Sequence, residues 1–170
     1  VRTARALRAG GVRGMTLTVT DLFAGFGGAS SGAVGVPGVE LTIAANHWDL
    51  AVEVHNMNHP EADHACVDLH LEDPRSFPRT NILWASPECT TWSSAAGAAH
   101  AEARVPGDWN LFEEIGEDLI DDDAAVRSRL LMFDVLRFIE HHRYDGVIIE
   151  NVVDIAVKAK YAAAWRLWQD

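Results

Sequence analysis

A short β-branched run, Leu17 to Leu22 (LTVTDL), passes directly into the turn FAGFGG, and a helical segment of small residues then starts at Gly27. A strand that breaks into glycines and restarts as a helix constrains a chain strongly, because the helix carries the backbone over the sheet to a parallel neighbour. The alternation continues. Val39 to Ala45 reads as a second strand, Asp49 to Asn58 as an amphipathic helix stopped before Pro60, His64 to Asp68 as a short third strand and Asn81 to Ala85 as a fourth. Ala124 to His142 carries a broad apolar stripe at helical spacing, Val147 to Glu150 reads as a buried fifth strand, and Asp154 to Asp170 as a last helix. Strands alternating with helices predict an α/β fold, a Rossmann-like doubly wound and mostly parallel sheet.

The chain of 170 residues suits one domain. Residues 1–14 carry Arg2, Arg5, Arg8 and Arg13 with no clean period and read as a basic extension outside the folded unit, which is expected to span residues 15–170. Thr90 to Asp123, rich in alanine, glycine and acid, is expected to be a functional loop or unstructured. A net charge of −11 makes phosphate attraction a poor basis for nucleic-acid binding by this segment. No apolar run is long enough to span a bilayer and the amino-terminal arginines precede no apolar stretch, so neither a membrane span nor a secretory signal is expected. Two cysteines, Cys66 and Cys89, suit a reducing cytoplasm, and twelve arginines against two lysines fit a GC-rich bacterial or phage source.

Glycines 25, 27 and 28 let the backbone turn sharply and come close to a ligand. Gly25 and Gly27 match the first two positions of the dinucleotide pattern G-x-G-x-x-G, while Ser30 stands where the third glycine belongs. Phe23 offers a ring to an adenine. At the end of the second strand, His47 occupies the slot where an acid usually holds ribose hydroxyls, and Trp48 either flanks an adenine or is a core aromatic. Asp68, closing the third strand, can accept from an adenine amino group. A tight turn with no ligand is the alternative. His55 and His59 have the H-x₃-H spacing of a zinc pair, but Pro60 ends their helix and nothing evident among His64, Cys66 and His70 closes four ligands, so surface histidines and no metal are expected. Cys89 follows the fourth strand in the same crevice, as a candidate nucleophile, and Glu150 ends the fifth strand, as a proton donor tuned by burial.

DLFAGFGG, NHWDLAVEVHNMNHP, SPECTTWS and ENV, in that order from about Thr16 to Val152, resemble the bacterial C5-cytosine DNA methyltransferases. The resemblance implies that Phe23, Gly25, Gly27, Gly28, His47, Trp48 and Asp68 bind S-adenosylmethionine, and that Cys89 and Glu150 are catalytic. It implies double-stranded DNA with a flipped cytosine as substrate. The Cys89 thiolate adds to C6 while Glu150 protonates N3, C5 accepts the methyl group, and loss of the C5 proton expels the thiolate. No metal takes part. The sequence departs from the family in three places. Pro87-Glu88-Cys89 replaces the usual Pro-Cys pair and sets a carboxylate beside the nucleophile, His47 replaces a glutamate, and the arginine-rich and target-recognition parts that follow ENV in the family are missing. The isolated chain is therefore expected to transfer no methyl group without sequence beyond residue 170, with Tyr161, Trp165 and Trp168 exposed as an apolar stripe. An S-adenosylmethionine-binding pseudoenzyme and an RNA cytosine-C5 methyltransferase are the alternatives, with an NAD-binding domain further off.

Overall fold

The computed structural model describes residues 16–88, 123–158 and 162–169. In chain order these form β1 (Leu17–Leu22), α1 (Gly28–Val34), β2 (Val39–Asn46), α2 (Asp49–Asn58), β3 (Asp63–Cys66), a 3₁₀ turn (Pro74–Ser76), β4 (Ile82–Ala85), α3 (Asp123–His142), β5 (Gly146–Ile149), α4 (Asp154–Val157) and α5 (Ala162–Gln169). The five strands pair in parallel in the order β3-β2-β1-β4-β5. The predicted doubly wound α/β fold is present. The chain winds outward from β1 to β3, then restarts on the other side of β1 with β4. That reversal opens a crevice at the carboxyl ends of β1 and β4, where such sheets place their ligands.

Alternation along β1 sorts its side chains between two layers. Leu22 joins Ile43, Leu83, Val135 and Phe138 in the main apolar cluster beneath α3. Asp21, one residue earlier, points the other way and reaches Ser30 of α1. Phe77, after the 3₁₀ turn, meets Phe138 edge-on with centroids 5.2 Å apart and closes the core under the loop that follows β3.

Two expectations fail here. β5 is not buried: Val147 and Ile148 are both exposed. Consecutive strand residues point to opposite faces, so each face of β5 carries an exposed residue while Ile149 packs on the core, and among the described residues only β4 pairs with it. The final segment is not one helix but two, and its tryptophans are not an exposed stripe. Trp165 and Trp168 stack with centroids 5.5 Å apart and pack against Met132 and Ile155, and the Trp168 indole donates to the Met132 carbonyl at 2.8 Å. Helix α3 supplies the apolar cover expected from absent sequence. Tyr161, the extension 1–14 and residues 89–122 lie outside the described residues. No helix among the described residues is long and apolar enough to cross a membrane.

Candidate active site at the carboxyl edge of the sheet

Backbone hydrogen bonds carry the parallel ladder one step past the strand ends. Ala24 N–H donates to Ala45 at 3.0 Å, Val67 to Asn46 at 3.0 Å, Ser86 to Leu22 at 3.1 Å and Glu150 to Ala85 at 3.0 Å. The turn after β1, the Asn46–Trp48 corner, the segment reaching Asp68, the turn after β4 and Glu150 are thereby aligned along one sheet edge.

The turn after β1 is held by left-handed backbone at three alternate residues: Phe23 at φ 61°, Gly25 at 52° and Gly27 at 94°. Positive φ on a bulky residue such as Phe23 is uncommon and marks a site that the surrounding structure over-determines. Its ring packs on the main core cluster and fixes the entry to the turn. A Cβ on Gly25 or Gly28 would meet nothing within 4 Å, so the backbone there is open to an approaching group. At Gly27 a Cβ would lie 2.8 Å from His59 Cδ2, and only glycine fits.

Around this turn the other candidate residues divide. Trp48 is 48% exposed, which removes the core-aromatic alternative, and its ring stands 5.7 Å from that of Phe26. His47 is exposed, with its carbonyl 3.9 Å from Cys66 Sγ. Asp68 is half-buried, and one carboxylate oxygen accepts from His70 N–H at 3.0 Å. The loop it opens is tied to α3: the Arg137 guanidinium donates to the His70 and Glu72 carbonyls at 2.8 and 2.7 Å, and His70 Nδ1 lies 2.9 Å from buried Asp134. An open glycine backbone, an exposed indole and a fixed carboxylate at neighbouring strand ends suit a nucleoside carrying a charged side arm.

Cys89 lies outside the described residues, but the approach to it is in place. Pro87 is buried, Glu88 is exposed, and the Asn151 amide donates to the Pro87 carbonyl at 3.2 Å. Asn151 thus pins the turn two residues before the thiol to the residue after Glu150. Glu150 itself is exposed, which corrects the expectation of a buried proton donor: it follows a strand in which Val147 and Ile148 are also exposed.

Comparison with known proteins decides the lineage. The family described as C-5 cytosine-specific DNA methylase matches residues 17–166. The chain belongs to that family. Among solved structures it is similar to a DNA modification methyltransferase encoded within an E. coli prophage, at 22% identity and TM-score 0.63, covering 89% of this chain and 36% of the other. It is also similar to the S. pombe Dnmt2 methyltransferase, at 18% identity and TM-score 0.53, covering 89% and 39%. The chain therefore spans less than two-fifths of the length of either. No curated protein matches it.

In this member of the C-5 cytosine-specific DNA methylases a buried polar layer underlies the glycine turn, and it corrects the expectation of surface histidines. His55 and His59 are 1% and 4% exposed. Facing one side of α2, they meet α1 and β3 rather than solvent. The Ser30 hydroxyl donates to Asp21 Oδ2 at 2.5 Å and lies 3.1 Å from His55 Nε2, while His55 Nδ1 lies 2.8 Å from His64 Nε2. His59 Nε2 lies 3.2 Å from the Gly27 carbonyl and 2.9 Å from the Ser31 hydroxyl, with Nδ1 3.2 Å from Glu61. Burial pushes the Asp21 carboxyl up to about 6, against the opposing pull of Ser30, and pushes His55 down to about 4, helped by its histidine neighbours. Among the described residues no three His, Cys, Asp or Glu side chains are placed to hold a metal ion. No role was legible in the sequence for Asp21 or Asn151, and Ser30, His55 and His59 are read there without this buried network. The acid inside LTVTDL and the serine in the third-glycine position were the available signals.

Proposed function

We propose that this chain is the cofactor-binding and catalytic part of a DNA cytosine-5 methyltransferase, with residues 15–170 as one folded unit and S-adenosylmethionine as methyl donor. The observation that carries this reading is the convergence, at the switch point of the sheet, of an open glycine turn, an exposed Trp48, Asp68 and Glu150, in a chain that the cytosine methylase family matches almost end to end. Phe23, Gly25, Gly27 and Gly28 would lie along the amino-acid arm and sulfonium of the cofactor, Trp48 against the adenine, Asp68 at its amino group and His47 at the ribose. The cofactor supplies an electrophilic methyl group.

On the substrate side, Cys89 is the nucleophile that adds to C6 of a flipped cytosine, and Glu150 holds a proton at N3 while negative charge develops on the ring. An exposed carboxylate at the sheet edge can reach a base delivered from outside. Glu88 is exposed, which is compatible with this arrangement. Flipping a base costs a few kcal/mol that contacts to the duplex must return. A chain at −11 is poorly suited to provide them, so we assign those contacts to sequence outside these residues.

The test is calorimetry on the 170-residue chain with S-adenosylmethionine and with NAD. Binding of the first and not the second is expected. Trp48→Ala should weaken that binding about tenfold or more with little change in unfolding temperature, because an exposed ring contributes little to the core. NAD binding in place of S-adenosylmethionine would sink the cofactor assignment. For the nucleophile, DNA containing 5-fluorocytosine should trap a covalent adduct on this chain supplemented with the target-recognition part of a family member. An adduct that persists in Cys89→Ala would show that another residue attacks.

A further inference from the structure

The proposed function gives no role to the two imidazoles that α2 buries beneath the turn. If they served only to fill space, apolar rings would do so without the cost of burying ring nitrogens. Instead the nitrogens are directed at the turn and at the start of α1. His59 Nε2 lies 3.2 Å from the Gly27 carbonyl and 2.9 Å from the Ser31 hydroxyl, and its Nδ1 lies 3.2 Å from the Glu61 carboxylate, so the ring bridges the turn, α1 and the loop after α2. The Ser30 hydroxyl gives its proton to Asp21, so it accepts from His55 Nε2–H, and His55 Nδ1 must then accept from His64 Nε2–H. Each proton has one direction, running from half-buried His64 on β3 through α2 and α1 to Asp21 at the end of β1. The titratable groups facing this layer are Asp21 from β1, His55 and His59 from α2, Glu61 from the following loop and His64 from β3. The two rings also meet at a tilt of 44° with centroids 5.0 Å apart and leave no room for a Cβ at Gly27.

We propose that His55 and His59 are positioning residues for the cofactor turn: by holding the Gly27 carbonyl and the Ser30 and Ser31 hydroxyls they fix the left-handed backbone that the ligand meets and so set its affinity. This rests on the cofactor reading above, and the experiment separates the two. His59→Gln keeps an amide nitrogen near the place of Nε2, His59→Leu keeps the bulk without a donor, and His59→Asn keeps a donor too short to reach Gly27. For each variant of the 170-residue chain, S-adenosylhomocysteine affinity is measured by calorimetry, and amide hydrogen exchange across residues 23–31 is measured without ligand. His59→Leu should bind at least tenfold more weakly and exchange at least tenfold faster in the turn, with the β4 amides unchanged; a general loss of packing would speed both alike. His59→Gln should restore most of both quantities. If His59→Leu does not fold, His59→Asn takes its place with the same expectation. Turn amides that exchange at the wild-type rate, or a His59→Gln variant no better than His59→Leu, would overturn the proposal. If the wild-type chain binds no S-adenosylhomocysteine, the cofactor reading fails, and the exchange rates alone still decide the positioning role.

Discussion

Gly27→Ala should destabilise the chain by about 2–5 kcal/mol and abolish cofactor binding, a large share of the ~5–15 kcal/mol that holds a typical domain together. Two costs add. An L-residue at φ 94° sits in left-handed backbone, which costs about 1–2 kcal/mol. The new methyl would also stand 2.8 Å from His59 Cδ2 and 3.2 Å from His55 Cδ2, so the rings must move and leave buried polar groups unpaired, at about 1–3 kcal/mol. Gly25→Ala is the matched control. It too has positive φ, but its Cβ meets nothing within 4 Å, so only the backbone cost of about 1–2 kcal/mol applies. Urea unfolding of the two variants checks the difference. Equal losses at the two positions would mean that the histidine seat contributes nothing to the turn.

Asp21→Asn and His55→Gln should tilt the pH dependence of stability in opposite directions. Asp21 rises from 3.8 to about 6 on folding, so the folded chain holds the extra proton between those values. Its contribution is most favourable in acid and is lost as pH rises through that window, by about 3 kcal/mol. His55 falls from 6.5 to about 4, so here the unfolded chain holds the extra proton. Stability is then lost as pH falls from 6.5 toward 4, again by about 3 kcal/mol. Together the two nearly cancel, since one proton moves from an imidazole to a carboxyl on folding. Relative to the wild type, Asp21→Asn should lose about 3 kcal/mol on acidification across this range, and His55→Gln should gain about as much. Denaturant titrations at half-unit pH intervals would reveal the crossing slopes. Parallel profiles for both variants and the wild type would show that the two groups ionise as they do in the unfolded chain.

Much of this architecture is written locally. The break from LTVTDL into FAGFGG, the helical period of residues 124–142 and the spacing of the strands are enough to name a doubly wound sheet, because strand and helix periodicities and glycine turns depend on near neighbours in the chain. The same holds for Trp48, Asp68 and Glu150, which could be placed at a common edge because parallel strands that wind in one sense end together. Burial was less legible. Glu150 was expected inside because VIIE is apolar, yet an apolar strand is buried only where something covers it, and Val147 and Ile148 are exposed while Ile149 packs on the core. Trp165 and Trp168 went the other way, covered by α3 across more than twenty residues of intervening sequence.

The histidines mark the boundary most clearly. HNMNH and the nearby His64 read as surface or metal-like by spacing alone, since nothing in α2 states what stands opposite it. Only the packing of α2 against α1 and β3 brings Ser30, Ser31 and the Gly27 carbonyl to those ring nitrogens. By itself, then, the sequence determined the order of elements, the open turn and the set of strand ends that meet. The tertiary structure decided which polar groups lose water and which partners repay them, because desolvation depends on what packs from distant parts of the chain.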